Sequence, residues 1–325
     1  MNNFTYLQPK DLKEASGLLG EDFAQAIPFA GGTDALSLMK EEVVSPKKVV
    51  NLKSLPNMRD IKYESGKGLR IGALVTISEI AEYAQIAEKY AILHEAANVI
   101  ASPQLRNVGT LGGNLCQRPR CHYFRGDFDC LRKGGDICFA VQGHNKYHCI
   151  VGGGPCFIVH PSDLAVALLA LDARVSIFSG KTTRTVLLKE FFVLPEDDYL
   201  RENILEPGEI LTDVLVPELP AGAKSGYLKF KEREVWDFAL VSVGAVIQRD
   251  GSMIKSARVA FGGVAPIPWL DESFNQRLSG LTTGEEAVSN VIQQAFQDAD
   301  SLQMNAYKVP LARGLMKQLL GRLMV

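Results

Sequence analysis

The cysteines are the residues of this chain whose type and spacing most clearly indicate chemistry. All six lie in one stretch, as Cys116, Cys121, Cys130, Cys138, Cys149 and Cys156. An iron–sulfur cube takes four thiolates, which an irregular, glycine-containing loop can bring together. Zinc also binds four cysteines, although its usual C-x₂-C pairs are absent here. A loop of buried free thiols is the third interpretation. The spacing leaves all three open and favours a cluster.

Two glycine-rich segments could hold phosphate groups. The first is Ala30-Gly31-Gly32-Thr33-Asp34, between a predicted strand and a predicted helix, and the second covers residues 107–114. Glycine lets backbone amides approach a pyrophosphate closely. Neither segment matches G-x-G-x-x-G or the P-loop pattern, which argues against an ordinary Rossmann or P-loop domain. Each alone could be a turn without a ligand, but two in one domain are compatible with a long dinucleotide such as FAD.

The elements that must position these residues follow from hydrophobic spacing and turn signals. Thr76 and Glu79 match a capping box ahead of a long helical stretch that is interrupted near Tyr90. We predict helices over 11–19, 35–40, 78–100, 163–171, 285–299 and 310–324. We predict strands over 26–30, 48–52, 69–74, 174–179, 183–187, 227–231, 238–248 and 256–261. Segment 106–114 is rich in glycine and polar residues, the cysteine segment 116–156 is predicted to be mostly irregular, and two prolines and a glycine place a domain boundary within 217–223.

Length and composition describe an ordinary globular protein. The 325 residues suit two domains, and 46% hydrophobic with 22% charged residues is close to average. A formal net charge of -2 gives no indication of nucleic acid or anionic membrane binding. No apolar run is long enough for a membrane helix, and the N-terminus does not resemble a signal peptide. We therefore expect a cytoplasmic chain, or one exported only in complex with a signal-bearing partner.

With these motifs in this order, nearly the whole chain resembles the medium, FAD-binding subunit of the xanthine dehydrogenase and carbon monoxide dehydrogenase family. Residues 30–34 and 106–114 are similar to the first and second flavin motifs of that family. Four further segments resemble its later motifs, at 160–163, 207–211, 227–239 and 261–265. The resemblance implies an α+β fold with a two-lobed FAD domain over 1–219, the lobes covering about 1–55 and 56–219, and a C-terminal domain of antiparallel sheet and helices over 220–325.

The resemblance also implies which residues bind the cofactors. The residues expected to contact FAD are Phe29, Ala30, Gly31, Gly32, Thr33, Asp34, Ala35, Ile100, Thr110, Gly112, Gly113, Asn114, Asp163, Leu211 and Lys229. Two groups in the family, the aldehyde oxidoreductases and the 4-hydroxybenzoyl-CoA reductases, are similar in holding an extra [4Fe–4S] cluster. Carried over by position, its ligands are Cys121, Cys130, Cys138 and Cys156, which leaves Cys116 and Cys149 spare. No residue is expected to act on a substrate directly.

The implied function is electron transfer within a heterotrimer. A large molybdenum-cofactor subunit would oxidise the substrate, and a small [2Fe–2S] subunit would pass electrons to this FAD. The extra cluster would connect the flavin to a ferredoxin-like or other external acceptor. The short gap between Cys121 and Cys130 looks more like the aldehyde oxidoreductases than the reductases, in which electrons run inward. The alternative from another class is a zinc-stabilised binding subunit with no redox role.

Overall fold

Three β-sheets, each accompanied by helices, form the molecule and confirm the predicted α+β class. The computed structural model describes residues 1–284 and 286–325 with their side chains, and Glu285 as backbone alone. No helix within those described residues is both long and apolar enough to cross a membrane.

The N-terminal part of the chain builds a small parallel sheet of three strands in the order β1-β3-β2. Asp11 accepts a hydrogen bond from the Glu14 N–H at 2.8 Å and so caps the first helix, which ends at Gly20. The elements are β1 Thr5–Leu7, α1 Leu12–Leu19, β2 Ala26–Phe29, α2 Ala35–Lys40 and β3 Lys48–Asn51. The loop from β2 to α2 is therefore placed at the end of a strand, as the sequence predicted.

The central part contains an antiparallel sheet of five strands in the order β4-β5-β8-β6-β7. These strands are β4 Ile61–Glu64, β5 Gly68–Gly72, β6 Arg174–Phe178, β7 Thr183–Leu187 and β8 Ile210–Val216. The helices are α3 Ile77–Glu82, α4 Ala84–Lys89, α5 Ala91–Asn98, α6 Pro103–Arg106, α7 Leu111–Leu115, α8 His122–Arg125, α9 Asp163–Ala170 and α10 Pro195–Asp198. Short 3₁₀ turns occupy Leu131–Lys133 and Leu188–Glu190. Strand β8 follows a motif that the sequence identified only as a flavin segment, so its role in the sheet was not predicted.

Two predictions for the central part need correction. The capping box at Thr76 and Glu79 is present, but the helical stretch 78–100 is divided into α3, α4 and α5. The breaks fall at Tyr83 and Tyr90, whose backbone angles are not helical. The strand predicted over 69–74 is shorter than expected, since β5 covers Gly68–Gly72.

The C-terminal part is an antiparallel sheet of four strands in the order β12-β11-β10-β9, covered by helices. The elements are β9 Lys224–Phe230, β10 Val241–Asp250, β11 Met253–Gly262, β12 Trp269–Leu270, α11 Glu272–Leu278, α12 Glu285–Gln293 and α13 Lys308–Leu323. The predicted helix 285–299 ends early, and Phe296 just beyond it has a left-handed φ of 58°. Helix α11 was not predicted.

Helix α9 joins the central and C-terminal parts. Every residue of α9 is buried, and the helix is apolar around its whole circumference, which is typical of a helix inside a core. It packs against α5 on one side and against β10 and β11 on the other. Ser162 caps its first turn by accepting from the Ala165 N–H at 3.0 Å. This arrangement fixes Asp163, the first residue of α9, at a buried position between the two parts.

Candidate functional site

A cavity of about 370 Å³ lies beside the loop between β2 and α2. We call it the glycine-loop cavity. Most predicted flavin residues line it, namely Ala30, Gly31, Gly32, Thr33, Asp34, Ala35, Thr110, Gly112, Gly113 and Leu211. The remaining ones, Phe29, Ile100, Asn114, Asp163 and Lys229, are not part of its wall. The structure therefore brings the first loop, the second segment and the start of β8 to one cavity, although they are far apart in sequence.

The backbone of the first loop is arranged to receive an anion. The N–H groups of residues 31–34 have no acceptor among the residues that the structure describes. Gly32 has a left-handed φ of 72°, which an L side chain rarely adopts. A Cβ on Gly31 would lie 1.9 Å from the Val108 carbonyl oxygen, so the loop lies directly against the second segment. Successive free amides of this kind form a concave site that binds phosphate.

The second segment uses much of its hydrogen-bonding capacity within the protein. Thr110 is the N-cap of α7, and its Oγ1 already accepts from the Gly113 N–H at 3.2 Å. The Gly112 N–H donates to the Ala73 carbonyl at 2.8 Å. Asn114 Oδ1 accepts from Ser162 Oγ at 2.5 Å, which links the segment to the start of α9. The glycines therefore allow close packing, while much of the polar capacity is used within the protein.

Asp34 connects the first loop to the cysteine segment. Its carboxylate accepts from Arg125 Nη2 at 2.7 Å and from the Arg118 N–H at 2.8 Å, and it pairs with Arg120 Nη2 at 3.1 Å. The side chains of Asp34 and Arg125 are 14% and 11% exposed, so this is a largely buried ionic network. Asp34 was predicted as a flavin contact, and the structure gives it in addition the task of holding the cysteine segment beside the cavity.

A second cavity of about 450 Å³, which we call the polar cavity, lies next to the cysteine segment. Its wall includes Asp163 and several buried nitrogen atoms. Arg120 Nε, His148 Nδ1 and His160 Nε2 have no hydrogen-bond partner of normal geometry among the described residues. Burial lowers the pKa of His160 to about 3, so its imidazole is neutral. Buried polar atoms are usually paired, and several unpaired ones around one cavity indicate a place for a polar ligand.

Asp163 lies in a buried network with two partners from β9. Lys229 Nζ donates to Asp163 Oδ2 at 2.8 Å, and the Tyr227 hydroxyl donates to Oδ1 at 2.5 Å. The Lys229 and Asp163 side chains are only 2% and 6% exposed. Burial, together with the Asp163 charge, raises the pKa of Tyr227 well above its ordinary value, so this hydroxyl keeps its proton. Of these three residues, Asp163 lines the polar cavity, while Lys229 and Tyr227 hold its carboxylate in place from β9.

The four predicted cluster ligands meet at a third, small cavity, the cysteine cavity. Cys121, Cys130, Cys138 and Cys156 all line it, and its volume is about 10 Å³. The two spare cysteines lie elsewhere. Cys116 lines the glycine-loop cavity, and Cys149 is buried against Gly153. The assignment of Cys121, Cys130, Cys138 and Cys156 as cluster ligands stays a prediction.

The thiols of the cysteine cavity interact with one another and with two basic side chains. Cys156 donates to Cys138, which lowers the pKa of Cys138 to about 6 and raises that of Cys156. Arg132 Nη1 lies 4.0 Å from Cys156 Sγ, and His148 Nε2 lies 3.3 Å from Cys121 Sγ. No three His, Cys, Asp or Glu side chains within the described ranges are already arranged to hold a metal ion. A cube takes one thiolate at each of its irons, so its ligands stand further apart than those of a single ion.

The C-terminal part holds the end of the cysteine segment through backbone carbonyls. Asn305 Nδ2 donates to the carbonyls of His148 and Cys149, at 3.1 and 2.9 Å. Lys308 Nζ donates to the Tyr147 carbonyl at 3.0 Å, and the Tyr307 hydroxyl to the Lys146 carbonyl at 3.0 Å. We call residues 305–308 the carbonyl clamp. Lys308 is fully buried, and this burial lowers its pKa to about 7.

Sequence reasoning missed the basic residues around the cysteines and the carbonyl clamp. Arg118, Arg120, Arg125 and Arg132 all lie within the cysteine segment, and their alternation with cysteines was a signal that could have been used. Glu202 pairs with Arg118 at 3.0 Å and with Arg132 at 2.5 Å. No sequence signal pointed to Glu202 or Asn305, because their partners are far away in the chain.

Two family models match the chain. The FAD binding domain in molybdopterin dehydrogenase matches residues 2–219, and the CO dehydrogenase flavoprotein C-terminal domain matches residues 226–323. Among solved structures, the reconstituted CO dehydrogenase from Oligotropha carboxidovorans superposes with a TM-score of 0.78 at 22% identity. The match covers 99% of this chain and 98% of that one, and it shows that the fold is shared.

Relatives with assigned roles cover almost the whole chain. The aldehyde oxidoreductase FAD-binding subunit PaoB of Escherichia coli is 38% identical, over 99% of this chain and 98% of the relative. The carbon monoxide dehydrogenase medium chain of Hydrogenophaga pseudoflava is 27% identical, over 98% of this chain and 96% of the relative. Both similarities extend across all three sheets and the cysteine segment.

Proposed function

The chain belongs to the FAD-binding medium subunits of the molybdenum hydroxylase family, and from this premise we propose that it passes electrons between FAD and a [4Fe–4S] cluster held in the cysteine cavity. As a member of this family it is an oxidoreductase subunit that binds FAD. The observation that carries the proposal is the common wall of two cavities. Cys121, His148 and Ile158 line both the polar cavity and the cysteine cavity, so a ligand in one lies next to a ligand in the other.

We place FAD along the glycine-loop and polar cavities. The free N–H groups of residues 31–34 would hold the pyrophosphate, and Leu211 offers an apolar surface in the same cavity. Asp163, fixed by Lys229 and Tyr227, would hydrogen-bond the polar edge of the flavin in the polar cavity. Phe29, Ile100 and Asn114 would then act by supporting the loops. FAD when bound supplies a centre that takes up two electrons and can release them singly.

The cysteine cavity fits an iron–sulfur cluster by the chemistry of its donors. Four thiols converge, and two basic side chains approach them, which suits a site that must carry negative charge. Cys121, Cys130, Cys138 and Cys156 would hold the cluster as thiolates. The cluster when bound supplies one-electron exchange. Cys116 and Cys149 would remain thiols, because each lies outside this cavity. The zinc-stabilised, non-redox alternative disagrees with the family of dehydrogenases and oxidoreductases to which the chain belongs.

The proposed setting is a heterotrimer of the aldehyde oxidoreductase type. Its partners would be a large molybdenum-cofactor subunit and a small [2Fe–2S] subunit, with electrons running outward to a ferredoxin-like or other acceptor. The 38% identity to an aldehyde oxidoreductase subunit supports this direction. We further propose that residues 1–219 form the FAD domain and residues 220–325 the C-terminal domain. The sheets support this division, since among the described residues no strand pairs across residue 220.

Cofactor analysis tests the proposal. On protein purified without oxygen, iron, acid-labile sulfide, zinc and FAD are measured per chain. About four iron, four sulfide and one FAD per chain are expected for one cube and one flavin. One FAD with neither iron nor sulfide would refute the cluster and leave an ordinary FAD subunit. Zinc without sulfide would assign the thiols to a structural metal.

A further inference from the structure

His148 lies in the common wall of the polar cavity and the cysteine cavity, and its imidazole can form hydrogen bonds. Its imidazole lines both cavities, together with Cys121 and the apolar Ile158. The side chain is 3% exposed, so solvent does not compete for its nitrogens. Nε2 lies 3.3 Å from Cys121 Sγ, whereas Nδ1 has no partner of normal geometry among the described residues.

We propose that His148 is a positioning residue for electron transfer, whose Nε2–H donates to the Cys121 thiolate and makes the neighbouring cluster easier to reduce. This inference rests on the proposed function, because it needs Cys121 to be a cluster ligand. A ligating thiolate can only accept a hydrogen bond, so the nitrogen that faces it must carry the proton. In a neutral imidazole Nδ1 is then the acceptor, and it is left for a donor in the polar cavity.

The backbone around His148 explains why this contact is fixed. The His148 carbonyl accepts from Asn305 Nδ2 at 3.1 Å, and the Cys149 carbonyl accepts from the same amide at 2.9 Å. Lys308 Nζ donates to the preceding carbonyl, that of Tyr147, at 3.0 Å. The carbonyl clamp therefore sets the imidazole in place from the C-terminal domain, while Cys121 comes from the opposite end of the cysteine segment.

The effect follows from where the charge resides. Reduction adds one electron, and thus one negative charge, to the cluster and its thiolates. Hydrogen bonds to the sulfurs stabilise the more negative state and raise the reduction potential. In the outward direction the electron comes from the reduced flavin and leaves to the external acceptor. The hydrogen bond from His148 thus favours the step from flavin to cluster.

The test compares two leucine variants of the full chain. His148→Leu removes the donor, and His144→Leu is the matched control, because His144 contacts His122 and Tyr147 and has no recorded thiol contact among the described residues. Midpoint potentials of flavin and cluster are measured by redox titration followed by absorbance and electron paramagnetic resonance. In His148→Leu we expect the reduced-to-oxidised ratio of the cluster at a fixed potential to fall about tenfold, or about 59 mV for one electron. The His144→Leu control should keep the wild-type cluster potential, and His148→Gln, which keeps an N–H donor, should recover part of the shift.

The outcomes separate this inference from the proposed function. A His148→Leu protein with wild-type iron content and an unshifted cluster potential would overturn the role of His148 alone. Wild-type protein without iron would overturn the cluster and this role together. If His148→Leu loses its iron, the hydrogen bond is tested instead by pulsed electron paramagnetic resonance on wild-type protein labelled with ¹⁵N-histidine. A ¹⁵N coupling that disappears in His148→Gln supports the hydrogen bond, and no coupling refutes it.

Discussion

Replacing Gly31 by alanine tests whether the glycine-loop cavity binds FAD through its backbone. The added Cβ would lie 1.9 Å from the Val108 carbonyl oxygen and 2.7 Å from the Val108 carbonyl carbon. Both are backbone atoms, so no side-chain rotation can relieve the contact. To reach even a tight contact of 3.0 Å, the loop and the second segment must separate by about 1.1 Å. This separation displaces the free N–H groups of residues 31–34.

The expected magnitude follows from the cost of overpacking. Such insertions cost about 1–3 kcal/mol. We assign most of this cost to the FAD-bound form, because in the flavin-free chain the loop can move away from Val108. FAD affinity should therefore fall roughly 5- to 150-fold, since each 1.4 kcal/mol is about tenfold. Affinity is measured by titrating FAD into the flavin-free chain and following flavin fluorescence.

Gly17→Ala is the matched control for this substitution. Gly17 lies inside α1, and a Cβ there meets nothing within 4 Å, so the change should leave FAD affinity unaltered and raise helix stability by about 0.5–1 kcal/mol. Thermal unfolding of the flavin-free proteins reports on overall folding. If Gly31→Ala binds FAD as tightly as Gly17→Ala, the reasoning about this loop is wrong.

Three further predictions concern the surroundings of the site. Asp34→Asn weakens three contacts, to Arg118, Arg120 and Arg125, and should lower the free energy of unfolding in urea by about 1–3 kcal/mol. The control Glu64→Gln, at an exposed ion pair with Lys67, should leave the free energy of unfolding unchanged. Equal stability of the two variants would contradict the Asp34 network. Because burial lowers the pKa of Lys308 to about 7 from 10.5, the unfolded chain binds more protons between these values, and the unfolding free energy should rise with pH by on the order of 1 kcal/mol per unit relative to Lys308→Met. If the difference in unfolding free energy between the two proteins stayed constant from pH 7 to 10, Lys308 would not be buried as a neutral amine. Cys121→Ser should lose iron and keep FAD, while Cys149→Ser should keep both; the opposite result in iron analysis would exchange the two ligand assignments.

Local signals were sufficient to predict much of the fold. Thr76 caps its helix in a capping box as predicted, and the strands of the β6–β7 hairpin end within one residue of their predicted limits. The α+β class and the flavin-binding family were also predicted correctly. The roles of individual flavin and cluster residues remain predictions, although the structure places many of them around common cavities.

The rest depends on contacts between distant parts of the chain. Glycine in Leu111–Leu115 lowers helix propensity, yet α7 forms because Ala73 and Val75 accept its first amides. The pairing of Asp34 with arginines some 90 residues away has no local signature. The polar cavity likewise combines the cysteine segment with the turn after β9, and only the packing of α9 between the two parts brings them together.

The carbonyl clamp has a consequence for how the holoprotein is made. The carbonyls of residues 146–149 are held by Asn305, Tyr307 and Lys308, which are synthesised 156 to 161 residues after the carbonyls they bind. Until residues 305–308 have been synthesised and docked, the carbonyl clamp cannot orient His148 or hold that end of the cysteine segment. Under the proposed function, delivery of iron and sulfide would therefore follow the docking of residues 305–308, and a chain that stops before residue 305 would lack the clamp on its cysteine segment.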